Sequence, residues 1–184
     1  ALAGGTHVQP RVFTDYVAAV MTTMSHQGFS NIILMNGHGG NTEALREAAR
    51  SVHEETGAYI AIFSWWTECR AVSEEVLGVP GGHAGSDETA AMLAIAPEQV
   101  FPDRWDPSLA FEHRDSLVAF PTPGSLIFYG GRRSDPVFHT KRAAEFWQAG
   151  GRVHSGRLRQ HGAHREAIRE ELADAVHQVV ADPG

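Results

Sequence analysis

The stretch between residues 31 and 63 constrains the fold more than any other part of the sequence. Residues 31–35 form a short, nearly all-apolar run bounded by turn residues, which is typical of a buried strand. A glycine-rich turn over 36–41 and a helix over about 42–55 follow, and 59–63 is a second apolar run. Strand, turn, helix and strand in this order predict a right-handed βαβ unit in a parallel sheet.

Further helices and strands are predicted on either side of this unit. Thr14 is placed to cap a helix over about 15–27, whose apolar face comprises Val17, Val20, Met21 and Met24. The other predicted elements are a short helix over about 67–77, a helix over about 87–95 capped by Ser86, strands over 116–120 and 125–129, and helices over about 135–148 and 164–180. The pattern predicts an α/β fold.

Composition and charge limit the possible class of protein. A chain of 184 residues fits one domain, since domains usually have roughly 100–200 residues. The net charge of -7 offers no basic surface for nucleic acid or an anionic membrane. No apolar run approaches the roughly 18–20 residues of a membrane span. The single cysteine, Cys69, favours a reducing compartment, so we expect a cytoplasmic protein.

The turn over 36–41, Asn-Gly-His-Gly-Gly-Asn, carries the first chemical motif. It follows a predicted parallel strand, and ligands bind at the carboxyl ends of such strands. Flanking glycines allow close approach of a ligand and leave the His38 imidazole placed to bind a metal. Gly39, Gly40 and Asn41, which lead into the next helix, are predicted to contact substrate, since amide groups at a helix start can hold an anion or an oxyanion. The alternative is a tight turn with an incidental histidine.

The second motif is His-Ala-Gly-Ser-Asp-Glu over 83–88. His83 lies on a glycine-rich loop, whereas Asp87 and Glu88 fall in the first turn of the next helix. The alternative for both acidic residues is structural, because carboxylates at a helix start interact favourably with the helix dipole. Groups on a loop and on a helix can also converge on one ligand, as acid–base or metal chemistry requires.

Together these motifs resemble the creatininase (creatinine amidohydrolase) family. The resemblance rests on Gly-Phe at 28–29, Ile-Ile-Leu-Met-Asn-Gly-His-Gly-Gly-Asn over 32–41, and Gly-His-Ala-Gly-Ser-Asp-Glu-Thr-Ala-Ala-Met-Leu over 82–93. It covers roughly residues 4–100, and the match beyond about 105 is poor, which leaves the substrate open. It implies a single creatininase-like α/β domain over 1–184, with a mainly parallel sheet and helices on both faces.

The resemblance also implies a two-metal centre of zinc, manganese or iron, in subunits that commonly form hexamers. By this resemblance His38 is a metal ligand, His83 contacts substrate or moves protons, and Glu88 binds metal or holds the attacking water. Gly40 stands where creatininase itself has a metal-binding glutamate, which leans away from creatinine as the substrate. Trp65 and Trp66 are candidates to line a substrate pocket, with ordinary packing as the alternative.

One family feature is missing from the sequence. Family members begin with a segment that contains a Glu-x-His-Gly-x-His-type motif and a downstream Asp, which supply most of the metal ligands. This sequence contains no such motif. We therefore expect a domain that lacks its N-terminal portion or is completed by another chain. The predicted function is metal-dependent hydrolysis of an amide or cyclic amide C–N bond in a small molecule. The alternative is a non-catalytic or partner-completed subunit that binds a ligand or another chain.

Two other groups are predicted to lie outside the site. Cys69 has no histidine placed by sequence to activate it as a nucleophile. His154, His161 and His164 are loosely spaced among arginines, which favours a solvated surface or a subunit contact.

Overall fold

The predicted βαβ unit forms the centre of the N-terminal half. The computed structural model describes residues 8–113, 126–129 and 131–181. Strand β1 (Asn31–Asn36) and strand β2 (Tyr59–Ser64) pair in parallel, with Ile32 opposite Ile60. Helix α2 (Thr42–Thr56) connects them and ends where Gly57 adopts a left-handed φ of 71°. The structure confirms both predicted strands and the helix between them.

Helix α1 (Pro10–His26) packs with α2 against one face of β1. The shared core consists of Met21, Ile32, Ala48 and Val52. Two details of the prediction were wrong. The helix begins at Pro10, so Thr14 is an interior residue rather than a cap, and Val20 is 44% exposed rather than packed. A proline at the first helical position needs no hydrogen-bond partner, which explains the earlier start.

Three helices follow β2. The helix predicted over 67–77 is split into α3 (Trp65–Glu68) and α4 (Arg70–Leu77), which meet at Cys69. Helix α5 (Ser86–Ile95) has Gly85 rather than Ser86 as its N-cap residue. Ser86 lies in the first turn and is fully buried, so its hydroxyl bonds to another part of the chain and does not cap the helix.

Helix α6 (Thr140–Ala181) replaces the two separate helices predicted over 135–148 and 164–180. Residues 149–163 continue the helix despite four glycines, because tertiary packing outweighs the weak helix propensity of glycine. Ala143 and Phe146 on α6 are buried against α4 and α5, in a second core cluster with Cys69 and Leu77. The strand pair and the helix bundle therefore have separate cores.

A second parallel strand pair lies beside the loop before α5. Strand β3 (Ala110–His113) pairs with β4 (Leu126–Tyr129), and a single antiparallel bridge joins His83 to Ile127. Strand β4 matches the strand predicted over 125–129, whereas β3 was not predicted. The strand predicted over 116–120 lies outside the described residues. Within the described parts of the chain, no helix is both long and apolar enough to cross a membrane.

Candidate active site at the ends of β1 and the loop before α5

Asn36 joins the end of β1 to two neighbouring elements. Its side chain is only 2% exposed. The amide Nδ2 donates to Thr42 Oγ1 at 3.2 Å and to Ser64 Oγ at 3.5 Å, and Oδ1 accepts from the His38 backbone N–H at 3.1 Å. This buried amide therefore ties the start of α2, the end of β2 and the His38 backbone together.

The His38 imidazole lies at the exposed surface of the turn that Asn36 supports. A short 3₁₀ turn (Gly39–Asn41) follows, and the Asn41 N–H donates to the His38 carbonyl at 3.0 Å. The His38 ring lies over Gly40, where an added Cβ would be 2.9 Å from Nε2. A side chain at position 40 would have to displace the ring, so the glycine and this histidine orientation belong together.

Two acidic side chains of α5 hold the loop that carries His83. The Gly82 N–H donates to Asp87 Oδ1 at 3.0 Å, and the Ala84 N–H donates to Glu88 Oε2 at 2.7 Å. Ala84 is the one non-glycine residue with a positive φ among the described residues, at 54°. The carboxylates accept from two backbone N–H groups of the loop itself, so the loop is fixed on both sides of His83.

Ser134 and Ile127 hold the same loop from the opposite side. The Gly81 N–H donates to Ser134 Oγ at 3.0 Å, and the hydroxyls of Ser86 and Ser134 lie 2.9 Å apart in a buried pair. The Ile127 N–H donates to the His83 carbonyl at 2.9 Å. Sequence reasoning missed Ser134, because nothing in the local pattern shows that it lies against the loop.

Burial raises the pKa of Asp87 to about 6, although the hydrogen bond from the Gly82 N–H opposes the shift. The residue is only 3% exposed. Desolvation disfavours the carboxylate, and the nearby charge of Glu88 adds to this effect. The carboxylate form of Asp87 is therefore disfavoured by burial, and the same buried position lets the side chain accept from the backbone of the His83 loop.

The fold brings the two predicted histidines together. The rings of His38 and His83 lie 5.9 Å apart between centroids, with an interplanar angle of 61°. They are separated by 45 positions in sequence and come from different elements. Trp66 lies beside this pair, since a Cβ added at Gly39 would be 3.9 Å from Trp66 Cζ2. The site therefore combines two imidazoles with the glycine turn and one aromatic wall.

Trp65 and Trp66 face different surroundings. Their rings are perpendicular, with centroids 6.4 Å apart. Trp65 packs against the helix-bundle core and also lines a cavity that reaches Asn36 and Gly37. The structure thus shows the packing of Trp65, and its role in lining a substrate pocket stays a prediction.

Cys69 and His154 meet at the wall of this cavity, contrary to the sequence-based placement of His154 at a solvated surface. Cys69 Sγ lies 3.8 Å from His154 Nε2, and His154 is half-buried. The two residues are 85 positions apart and are paired only by the packing of α6. Burial raises the pKa of the Cys69 thiol, with smaller contributions from Asp87 and Glu68, so the group stays protonated.

A sequence model of the creatininase family, described as creatinine amidohydrolase, matches residues 1–181. The chain belongs to this family. The creatininase fold is also found in solved structures: a creatinine amidohydrolase has a TM-score of 0.67 at 20% identity, over 87% of this chain and 67% of that chain. A manganese form, titled "Creatininase Mn", has a TM-score of 0.68 at 21% identity over the same shares of the two chains. At this identity the likeness shows the fold.

Two curated relatives match a shorter stretch. A "Mycofactocin precursor peptide peptidase" of Mycobacterium ulcerans (strain Agy99) is 40% identical over 75 residues, which are 40% of this chain and 25% of the relative. The protein of the same name from Mycolicibacterium smegmatis (strain ATCC 700084 / mc(2)155) is 34% identical over 74 residues, 40% of this chain and 26% of the relative. The match thus spans about a quarter of each curated relative.

The described part of this creatininase-family chain does not complete a metal centre. Over residues 8–113, 126–129 and 131–181, no group of three or more His, Cys, Asp or Glu is placed to hold a metal ion. Glu88 already accepts a backbone N–H, and position 40 offers no side chain. His38 and Glu88 would supply two ligands, whereas a usual catalytic zinc site has three protein ligands.

Proposed function

We propose that the protein is a hydrolase of the creatininase type that cleaves an amide C–N bond in a small molecule or short peptide. The observation that carries this proposal is the pairing of His38 and His83 at the carboxyl end of β1, 5.9 Å apart between ring centroids. Two imidazoles from separate elements can act on the two sides of one amide group. Family membership supports the same class of reaction.

His83 is assigned the proton transfer. Amide cleavage requires a proton on the departing nitrogen, and imidazole is the side chain best suited to transfer one near neutral pH. The His83 backbone is held by its bond from Ile127 and by the Asp87 and Glu88 contacts on either side. The loop thereby fixes the backbone and leaves the ring to meet the substrate.

His38 and Glu88 are assigned as ligands of a divalent metal, in a two-ion centre of zinc, manganese or iron. When bound, such an ion supplies a Lewis acid beside the scissile carbonyl. Similar structures titled as manganese and "Zn-Zn type" creatininases support this assignment. The remaining ligands must come from outside the described residues or from a complementing chain, and Glu88 Oε1 is the carboxylate oxygen not committed to Ala84.

The substrate is assigned to the region between the histidines and the aromatic wall. Gly39, Gly40 and Asn41 present backbone beside His38, and Trp66 lies against Gly39. The names of the curated relatives, which are peptide peptidases, favour a peptide amide over a cyclic small molecule.

A second candidate function is a partner-completed or non-catalytic subunit. The specific observation in its favour is the incomplete ligand set among the described residues. In this case the chain would keep the His38 turn and bind a ligand or another chain, with turnover only in the complex. Assembly into a homo-oligomer, a hexamer by family resemblance, remains a prediction under either function.

Metal analysis of the purified protein separates these functions. The enzyme hypothesis expects bound Zn²⁺, Mn²⁺ or Fe²⁺, hydrolysis of peptide amides, loss of activity on chelation and recovery when the metal returns. A folded preparation without metal, with no activity when Zn²⁺ or Mn²⁺ is added, would contradict it. The same assays should include creatinine. We expect it to be a poor substrate, because glycine at position 40 cannot replace the metal-binding glutamate of creatininase.

A further inference from the structure

A cavity of about 430 Å³ lies between the end of β1, helix α3 and one face of α6. Its walls include Met35 from β1, Trp65 from α3, and Phe146 and Trp147 from α6. Ligand pockets usually measure roughly 300–1,000 Å³ and are lined mainly by apolar and aromatic side chains. By size and lining, this cavity suits an apolar group rather than a few water molecules.

The cavity adjoins the His38 turn of the proposed site. Asn36 and Gly37 line it and directly precede His38 in the turn. Consecutive Cα atoms are about 3.8 Å apart, so a group in the cavity lies within a residue length or two of the His38 backbone. A substrate whose amide meets the two histidines would therefore have a neighbouring side chain within reach of the cavity.

Two apolar side chains of the cavity lining are exposed to solvent. Met35 is 53% exposed and Trp147 is 51% exposed. Removing such surface from water is the main favourable contribution when apolar groups bind. A large apolar group is thus the occupant that gains most from these walls.

The lining of the cavity disfavours charged occupants. None of the described residues that line it is Asp, Glu, Lys or Arg. The Cys69 thiol stays protonated, because burial raises its pKa, and it pairs with His154. A charged side chain would lose its hydration here without gaining a partner of opposite charge.

We propose that this cavity is a specificity pocket that binds a large apolar side chain, aromatic or leucine-sized, next to the scissile amide of a peptide substrate. The proposal rests on the proposed amide hydrolysis and adds the chemistry of the substrate. Trp147 and Gly151 are the α6 residues through which the pocket is tested, since both line the cavity.

The first measurement uses two series of short peptides, which vary the residue on either side of the scissile bond among Phe, Leu, Ala and Asp. In one series kcat/KM should be about tenfold or more higher for Phe and Leu than for Ala, and lowest for Asp. Differences of this size are typical of apolar pockets that discriminate by a few methylene groups. Equal kcat/KM across both series would overturn the proposal.

The second measurement narrows the pocket with a matched pair of variants. Gly151 and Gly156 both lie on α6, and an added Cβ meets nothing within 4 Å at either position. Gly151 lines the cavity and Gly156 does not. Gly151→Leu should raise KM for the Phe peptide about tenfold while changing KM for the Ala peptide less than about twofold. Gly156→Leu should leave both unchanged.

Other results contradict the pocket. If Gly151→Leu changes thermal stability or oligomeric state and leaves the Phe-to-Ala ratio unaltered, the cavity belongs to an interface with another segment or copy. If both variants lower kcat/KM equally for all peptides, the effect comes from a change in α6 as a whole and not from the pocket.

Binding measurements keep this test separate from the proposed function. Failure to hydrolyse any peptide would remove peptide cleavage from the proposed function, whereas titration of the Phe peptide by isothermal calorimetry still examines the pocket. Binding by the wild type that is lost in Gly151→Leu, and kept in Gly156→Leu, supports the pocket without turnover. No binding by either the wild type or the Gly156→Leu control would overturn it.

Discussion

The His38 turn and the His83 loop support their histidines in different ways. His38 lies exposed on a turn that one buried side chain, Asn36, ties to the rest of the fold. His83 lies half-buried on a loop that is bonded from both sides by Asp87, Glu88 and Ser134. The first arrangement leaves an imidazole at the exposed surface, whereas the second fixes the backbone on both sides of an imidazole. This difference matches a metal ligand in the first case and a proton-transfer group in the second.

The largest expected effect separates the roles of the two histidines. His83→Ala should lower kcat about 10²–10⁴-fold with metal content unchanged, because general acid–base catalysis contributes that much. His38→Ala should lower metal content per chain, measured by mass spectrometry, together with activity. Equal metal loss in both variants would mean that the two roles are wrongly assigned.

The next effect concerns the rigidity of the two segments. A Cβ at position 82 would lie 2.6 Å from the Ile127 carbonyl oxygen, a backbone atom with little freedom to move. We expect Gly82→Ala to lower the free energy of unfolding by about 3 kcal/mol, since overpacking typically costs about 1–3 kcal/mol and backbone contacts lie at the upper end. Urea unfolding measures it.

The matched control for that variant is Gly37→Ala, where an added Cβ meets nothing within 4 Å. It should change the free energy of unfolding by less than about 0.5 kcal/mol, as is usual for sites without a strained contact. Similar losses of unfolding free energy in Gly82→Ala and Gly37→Ala would show that the His83 loop and the His38 turn are equally rigid, which would contradict the difference described above.

Asp87 is expected to make the stability of the protein depend on pH. Burial raises the pKa of this residue to about 6. The folded state binds this proton more tightly than the unfolded chain does, so Asp87 makes the protein less stable as pH rises from about 4 to about 6. The loss amounts to at most about 3 kcal/mol, by linkage. Asp87→Asn keeps an oxygen to accept the Gly82 N–H and removes the charge.

The measurement compares urea unfolding of wild type and Asp87→Asn at pH 4, 5, 6 and 7. Wild type should lose stability relative to the variant across this range, with the change complete a little above pH 6. Glu43→Gln, at an exposed residue after the His38 turn, should leave stability nearly unchanged because surface ion pairs contribute little. A pH-independent difference between wild type and Asp87→Asn would rule out this account of the buried carboxyl.

The smallest expected effect concerns Ser134, which supports the His83 loop and was not found from the sequence. Ser134→Ala removes the acceptor of the Gly81 N–H and the partner of the Ser86 hydroxyl. Loss of such buried bonds typically costs about 1–3 kcal/mol, and we expect about 1–2 kcal/mol here. If the His83 loop depends on this bond, kcat should fall as well, whereas an effect on stability alone would limit Ser134 to a structural role.

The elements predicted well are those whose signals are local. The run 31–35, the glycine turn and the helix after it depend on residues close in sequence, and the structure places β1 and α2 accordingly. Strand β3 and the continuity of α6 between the two predicted helices were missed, because they depend on pairing and packing with distant residues. Propensity is a weak guide wherever tertiary contacts outweigh it. The single-domain organisation over 1–184 remains a prediction.

The sequence by itself determined the βαβ unit, the family and the two glycine-flanked histidines, since all three depend on residue types at short, fixed spacings. Only the tertiary structure decided how His83 is held, where His154 lies and which walls enclose the cavity. Ser134 reaches the loop across 48 positions from Ser86, and His154 reaches Cys69 across 85. Contacts over such distances form only when the helices and strands pack, and no local pattern of residues encodes them.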